Sequence, residues 1–461
     1  MKINFIKLLY EEENGMKKNK GITLVALVVT IVVLLILAGV SINLVLGNNG
    51  IIAKAKEAQR KSAEASQNDL IGMNELAQQL KEQINGSAGS GSGNGGAGGS
   101  GAGTKVPAEA TAETAPYFPD NTFTKKEGTI DTGLVIQDAS GNEYVWVVVP
   151  RTTAVYKTTG LGKTTFTDAD YTSIENDLKE YTKTYRNGTG YSDTYAADDK
   201  NVGWFADATA YNNLKNSMLK SVYENGGFYV GRYEAGIDTT TGTNRTSKGP
   251  TNSDGKYTIE GMPAPVTKAD AYPYTYVTRT QAQNLASKVN AGTKTSSLMF
   301  GVQWDLVLAF MSKDTAKITS TDVLTKDSTT IGNYYNSTFQ LSQTGKYATY
   351  SNWKLSPTWN PSTTATTSFV DSSRNKLVQP GTDGILVTTG TSEKNKVMNI
   401  YDIAGNVWEW TLEKTSHASN LCAERGGGLY YTGSKNNPAA DRGNNNTTGT
   451  FLSDGFRLSL W

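Results

Sequence analysis

The chain has little of the two residues that most often carry metal or nucleophilic chemistry: one cysteine, Cys422, and one histidine, His417, among 461 residues. A single cysteine closes no disulfide within the chain, and one residue of each type supplies too few ligands for a Cys/His zinc site. The lone thiol reads as a small buried apolar group. No Ser/His/Asp arrangement assembles around His417, which reads as a loop residue. A surplus of one charge is missing too: 44 basic residues face 43 acidic ones, so no overall field attracts nucleic acid or an anionic membrane face. The expectation is a protein with no cofactor, no metal and no nucleic-acid partner.

What the chain does have is core material, 37% apolar and 10% aromatic residues, in a length suited to two or three domains. It is unevenly placed. Ile22 to Leu46 is a run of 25 residues without a charge. As a helix rising ~1.5 Å per residue it exceeds the ~30 Å hydrocarbon core of a bilayer, which predicts a transmembrane segment. Lys17, Lys18 and Lys20 precede the run and would stay in the cytoplasm, placing the remainder of the chain at the cell surface. Beyond "GNNG" at Gly47–Gly50, Met73, Leu76, Ala77, Leu80 and Ile84 recur at helical spacing and predict an amphipathic stalk. The break from lysines to apolar residues falls at Gly21, with Ile22, Thr23 and Leu24 directly after it. This stretch resembles the N-terminus of type IV pilins and pseudopilins. The resemblance implies a leader, residues 1–21, cut between Gly21 and Ile22, and a helix over 22–84 that meets the membrane and other pilin-like subunits. It departs from the family at Ala26, where most pilins carry a glutamate.

Residues 85–118 read as a linker. Its glycine- and serine-rich part, Gly86 to Gly103, should span roughly 23 Å as a flexible coil. From residue 119 the pattern is globular. "GLVIQDASGNEYVWVVVP" predicts two strands joined by a turn over Ala139–Asn142. Thr152 to Lys220 is polar with weak periodicity and reads as long loops and short helices. A further strand is expected in "GGFYVGRYEAGID", and helices in "TQAQNLASKVN" and "GVQWDLVLAFMSK". Few regular elements joined by long loops predict an α+β fold after the N-terminal helix.

Three strings occur in order: "NIYDIAGNVWEWTLE" at Asn399–Glu413, "ERGGGLYY" at Glu424–Tyr431, and a terminal "DGFRLSL". Gly405 and Asn406 suit a tight turn at positive φ, and Trp408 and Trp410 alternate with Glu409 along a strand, which makes the tryptophans core. Arg425 and Arg457 stand beside glycines and are expected to tie buried carbonyls or carboxylates such as Glu409. These strings resemble the formylglycine-generating-enzyme branch of the C-type lectin fold. Members that oxidise a sulfatase cysteine use a pair of copper-binding cysteines; this chain has only Cys422, ahead of the RGG motif, so the resemblance implies a fold without that activity. Within the fold the layout is similar to the variable proteins of diversity-generating retroelements, whose varying positions lie between the RGG motif and the final strand.

That resemblance implies a ligand-binding tract over 428–454, with Leu429, Tyr430, Tyr431, Lys435, Asp441, Gly443, Asn444, Phe451, Leu452 and Asp454 as candidate contact positions. The composition of the tract agrees: Tyr, Ser, Gly, Asn and Thr dominate it, the palette of antibody paratopes. Leu429, Phe451 and Leu452 would each be worth ~1.5–3 kcal/mol on full burial, so exposure would call for a partner. The expectation is a non-catalytic surface receptor or adhesin for a protein or cell-surface ligand. The alternatives are a minor pilin with a structural lectin-like cap, or a divergent oxidase of the formylglycine-generating type.

Overall fold

By its contacts the chain divides into two units, Met1–Gly99 and Ser100–Trp461. The computed structural model describes residues 117–461 apart from 162–164, 187, 189, 339–340, 343, 352–353, 356–357, 362–382 and 435–436. The Gly21–Ile22 junction, the 22–84 helix, the linker through residue 116 and Lys435 lie outside the described residues.

Apolar runs rich in Val, Tyr and Trp build the middle of the first sheet. Its strands are β1 (Thr124–Glu127), β2 (Val135–Gln137), β3 (Glu143–Val148), β4 (Gly227–Gly231) and the short β5 (Ser296–Ser297). The turn between β2 and β3 is held by Asp138, whose Oδ1 accepts from the backbone N–H groups of Ser140 and Asn142, both at 2.8 Å. The second sheet comes from the C-terminal third: β6 (Trp408–Thr415), β7 (Cys422–Arg425), β8 (Arg442–Asn445) and β9 (Asp454–Phe456). The last strand, β10 (Ser459–Leu460), returns to the first sheet, whose order is β1-β2-β3-β4-β10-β5. In the second sheet the order is β8-β7-β6-β9, antiparallel except for the parallel β6–β9 pair, and a fifth short strand, Tyr191–Ser192, pairs antiparallel with the far end of β6.

The chain end therefore crosses from one sheet to the other at Arg457. Its fully buried guanidinium binds the carboxylate of Glu409 at 2.6–3.1 Å and the carbonyls of Gly231, Tyr401 and Asp402. One side chain thus ties β4, β6 and the Tyr401–Asp402 segment to the crossover, and the polar tract ahead of β9 is anchored at a point where both sheets meet.

Among the described residues four helices of eight residues or more pack around the sheets, α1 (Asp168–Tyr181), α2 (Ala208–Asn225), α3 (Arg279–Ala286) and α4 (Gly301–Met311), beside a four-residue helix at Asp322–Thr325. Thr167 and Asp170 form a capping box at the start of α1, and Gly226, at φ 72°, closes α2 in the left-handed conformation. Both helices fall where long loops with short helices were expected. Every residue of α4 is buried, with Trp304 Nε1 donating to the Ala439 carbonyl at 2.9 Å.

The fold-class expectation needs correction. The described residues are mostly sheet with few helices, and no helix among them is long and apolar enough to cross a membrane. The wholly buried α4 has eleven residues, about 16 Å of helix, about half a hydrocarbon core; the longer α2 carries Asn, Lys and Glu along its length. Apolar sequence here is spent on short strands and one core helix.

Candidate ligand-binding face

The turn before β6 sets the site. Gly405 and Asn406 have φ of 73° and 56°, and a Cβ on Gly405 would lie 2.3 Å from the Asn333 carbonyl oxygen, so only glycine fits. Asn406 is fully buried; its Nδ2 donates to Glu234 Oε2 at 2.7 Å, and its Oδ1 accepts from Asn333 Nδ2 and Val387 N at 2.9 and 3.1 Å. The strand then begins at Trp408 from a rigid corner. After β7 the glycines of the RGG motif turn the chain back over that tryptophan: Gly426 and Gly427 have φ of 89° and 78°, and a Cβ on Gly428 would come within 3.0 Å of Trp408 Cδ1.

Strand register sorts the side chains onto two faces, because cross-strand partners point the same way and neighbours along a strand point oppositely. Trp408 is paired with Asp454, Trp410 with Glu424 and Phe456, Glu424 with Gly443, and Cys422 with Asn445; these share one face. Glu409, Arg425, Arg442 and Gly455 share the other.

On the arginine face the charges are matched. Arg425 binds Asp305 at 2.8 Å and Glu413 at 3.1 Å; Arg442 binds the same two carboxylates at 2.8 and 3.0 Å; Arg186 reaches Asp305 from outside. Arg425 also donates to the Asp441 carbonyl at 2.9 Å, fixing the tract where it enters β8. Burial alone would raise the Glu413 carboxyl, but Arg442, Arg425 and Arg186 together outweigh it and hold it at about 2. Glu409, expected as a partner for either arginine, is bound by Arg457 and not by Arg425.

On the tryptophan face they are not. Glu424 and Asp454 are 8% and 2% exposed. Among the described residues Glu424 Oε2 has no hydrogen-bond partner, and the carboxyl group is hydrogen-bonded by the Asn445 side chain. From side chains Asp454 receives only long contacts, 3.4 Å from Asn445 Nδ2 and 3.4 Å from Ser453 Oγ. Burial pushes the Asp454 carboxyl up to about 7. Burial, then the neighbouring Asp454 and Asp441 charges, pushes Glu424 well above the carboxylate range. Asp441, half-buried, is raised to about 6 by burial. No cation enters the surroundings of Glu424 or Asp454 among the described residues.

Aromatic rings roof this acidic floor. Tyr430 and Tyr431 have ring centroids 4.4 Å apart, Tyr431 meets Trp408 edge-on at 6.0 Å, and Ser453 Oγ donates to Tyr430 Oη at 3.2 Å. Tyr431 is 37% exposed and Phe451 54%. Gly443 is half-exposed at the edge; a Cβ there would sit 2.8 Å from Glu424 Cγ and 3.1 Å from Trp408 Cζ3, so Glu424 and Trp408 pack directly against the backbone of this glycine.

The candidate contact positions thus separate. Tyr430, Tyr431, Asp441, Gly443, Asn444 and Phe451 keep surface. Leu429 and Leu452 do not: both are buried and pack with Leu386 and Val407 in a small apolar cluster beneath Tyr430. Their place on the expected contact face is corrected, because apolar contacts to those neighbours already cover them. Asp454 belongs to the floor. Sequence reasoning missed Glu424, Glu413, Asp305 and Arg442. The alternation of Glu424 with Arg425 along one strand was the available signal that they part to opposite faces. His417 lies in an exposed turn, with its Nδ1 accepting from Ser419 and Asn420 N–H groups. Burial pushes the Cys422 thiol up to about 11. A separate cleft of about 590 Å³, among Trp204, Leu214, Asn284 and Lys294, holds none of the tract residues.

No family model matches this sequence, and no curated protein does. The chain is similar to a solved structure titled "Crystal Structure of CarF", at 12% identity, over 59% of this chain and 95% of that one, with a TM-score of 0.26. A likeness of that degree has no bearing on fold or function.

Proposed function

We propose that this chain is a non-catalytic binding protein, displayed at the cell surface, whose 428–454 tract recognises a protein or cell-surface ligand and is diversified by a retroelement. The observation that carries this reading is the trio of Trp408, Tyr430 and Tyr431, two of them with exposed ring surface, on a floor whose backbone is fixed by Asn406, Arg425 and Arg457. Rigid aromatic area over an ordered scaffold binds at low entropic cost, while the asparagines and threonines of 444–450 supply adaptable hydrogen bonds. The layout between the RGG motif and the final strand, similar to retroelement variable proteins, supports diversification. A buried thiol held in its neutral form is a poor nucleophile, which supports binding over bond-making.

The test is to randomise Tyr430, Tyr431, Asn444 and Phe451 in the full chain and select against a panel of unrelated proteins. Binders that retain the parent's melting temperature are expected. A library in which folded clones bind nothing, or in which few clones fold, would overturn the reading.

A further inference from the structure

We infer that the tract's face takes a cationic group, an arginine or lysine side chain of the bound protein, seated against Trp408, Tyr430 and Tyr431 with its charge on Glu424 and Asp454. The inference rests on the proposed binding role and names the chemistry of the ligand.

Three independent features converge on it. The first is the contrast within one sheet. On the opposite face, buried Asp305 and Glu413 each receive two or more guanidinium contacts from this chain. Glu424 and Asp454 are also buried, though slightly less so, and receive none among the described residues. A buried carboxylate without a cation or a full set of donors is costly, so native sites supply a partner. The second is an atom: Glu424 Oε2, on a side chain more than nine-tenths buried, has no donor among the described residues. The third is the roof. The phenol rings of Tyr430 and Tyr431 lie near both carboxylates, with Trp408 edge-on to Tyr431, and cation–π attraction would add to the ion pair, most for a planar guanidinium.

Binding should be coupled to protons. The titratable groups around the site are Glu424 and Cys422 on β7, Asp454 on β9, Asp441 ahead of β8, and Tyr430 and Tyr431 after β7. Lys414, across from Cys422 at the far end of β6, pairs with neither acid. Cys422 and the tyrosines stay neutral near pH 7, being pushed up by burial. The empty acid pair holds a proton near neutrality because both carboxyls are raised. An arriving cation displaces that proton, so affinity rises with pH across the range in which Asp454 ionises.

The experiment uses the full chain and two probes, acetyl-Gly-Arg-Gly-amide and its neutral citrulline counterpart, each measured by titration calorimetry near pH 7 in two buffers of different ionisation enthalpy. The arginine probe should bind at least tenfold more tightly than citrulline and release protons. Glu424→Gln and Asp454→Asn, which keep side-chain shape, should each remove that preference without unfolding the chain. Equal binding of the two probes, a preference that survives both substitutions, or no binding of either probe would overturn the inference. Failure of the wider reading looks different: the arginine probe would bind as before to Tyr431→Ala, placing its site away from the tract.

Discussion

The two faces of the second sheet bury similar numbers of acids and treat them oppositely. Behind it, Arg425, Arg442 and Arg186 knit α4 and β6 to β7 and β8 through Asp305 and Glu413. In front, Glu424 and Asp454 are buried as well, without a counter-charge among the described residues. The difference teaches how the molecule divides its work. Charge that is satisfied internally holds the sheet in one arrangement, and charge that is left unsatisfied beneath the partly exposed tyrosines is available to something outside.

The matched face is the one whose breaking should do most. Arg425→Met leaves Asp305 and Glu413 short of one guanidinium and frees the Asp441 carbonyl. Removing one member of a buried ion network costs about 3–5 kcal/mol, and chemical denaturation should show a loss of that size. A loss below about 1 kcal/mol, the scale of an exposed pair, would mean that the network is not a structural tie.

A pH series sharpens the contrast because the two faces have opposite signs. Asp454 ionises near 3.8 when exposed and near 7 when folded. Between those values the folded chain keeps a proton that the unfolded chain has released, so its contribution makes stability fall as pH rises through the window. Glu413 ionises near 4.5 when exposed and about 2 when folded; its contribution is present above 4.5 and is lost as pH falls toward 2. Asp454→Asn should therefore flatten the decline between pH 4 and 7, by on the order of 2–4 kcal/mol, and leave the acid limb in place. An unchanged profile above pH 4 would remove the claim that this carboxyl is buried unpaired.

Much of the scaffold was legible in the sequence. Alternation put Trp408 and Trp410 on one side of a strand and Glu409 on the other, residue type marked the turn at Gly405–Asn406, and apolar runs marked β2, β3, β4 and α4. α1 and α2 were less so, since their inward residues are a mixture of Tyr, Leu, Met and Val whose helical period is blurred by polar neighbours; the Thr167–Asp170 capping pair was the sign to use. Which face of the second sheet would be neutralised was not legible at all. That depends on Asp305, 120 residues from Arg425, arriving behind the sheet on α4, and no local pattern reports it. Nor could composition separate Leu429 and Leu452, which pack inward, from Phe451, which does not.

The smallest effects should come from the roof. Tyr431→Ala and Phe451→Ser remove side chains with solvent on at least one side and should change stability by about 0.5 kcal/mol or less, an expectation that extends to the most direct measurement of all. Every position from 428 to 454 can be substituted in turn and scored for protease resistance of the folded chain. Broad tolerance at Tyr430, Tyr431, Asn444 and Phe451, against intolerance at Leu429, Arg442 and Leu452, is the predicted result. Were Tyr431 and Phe451 as sensitive as Leu429, the tract would be part of the core, and its role as an adaptable recognition face would be contradicted.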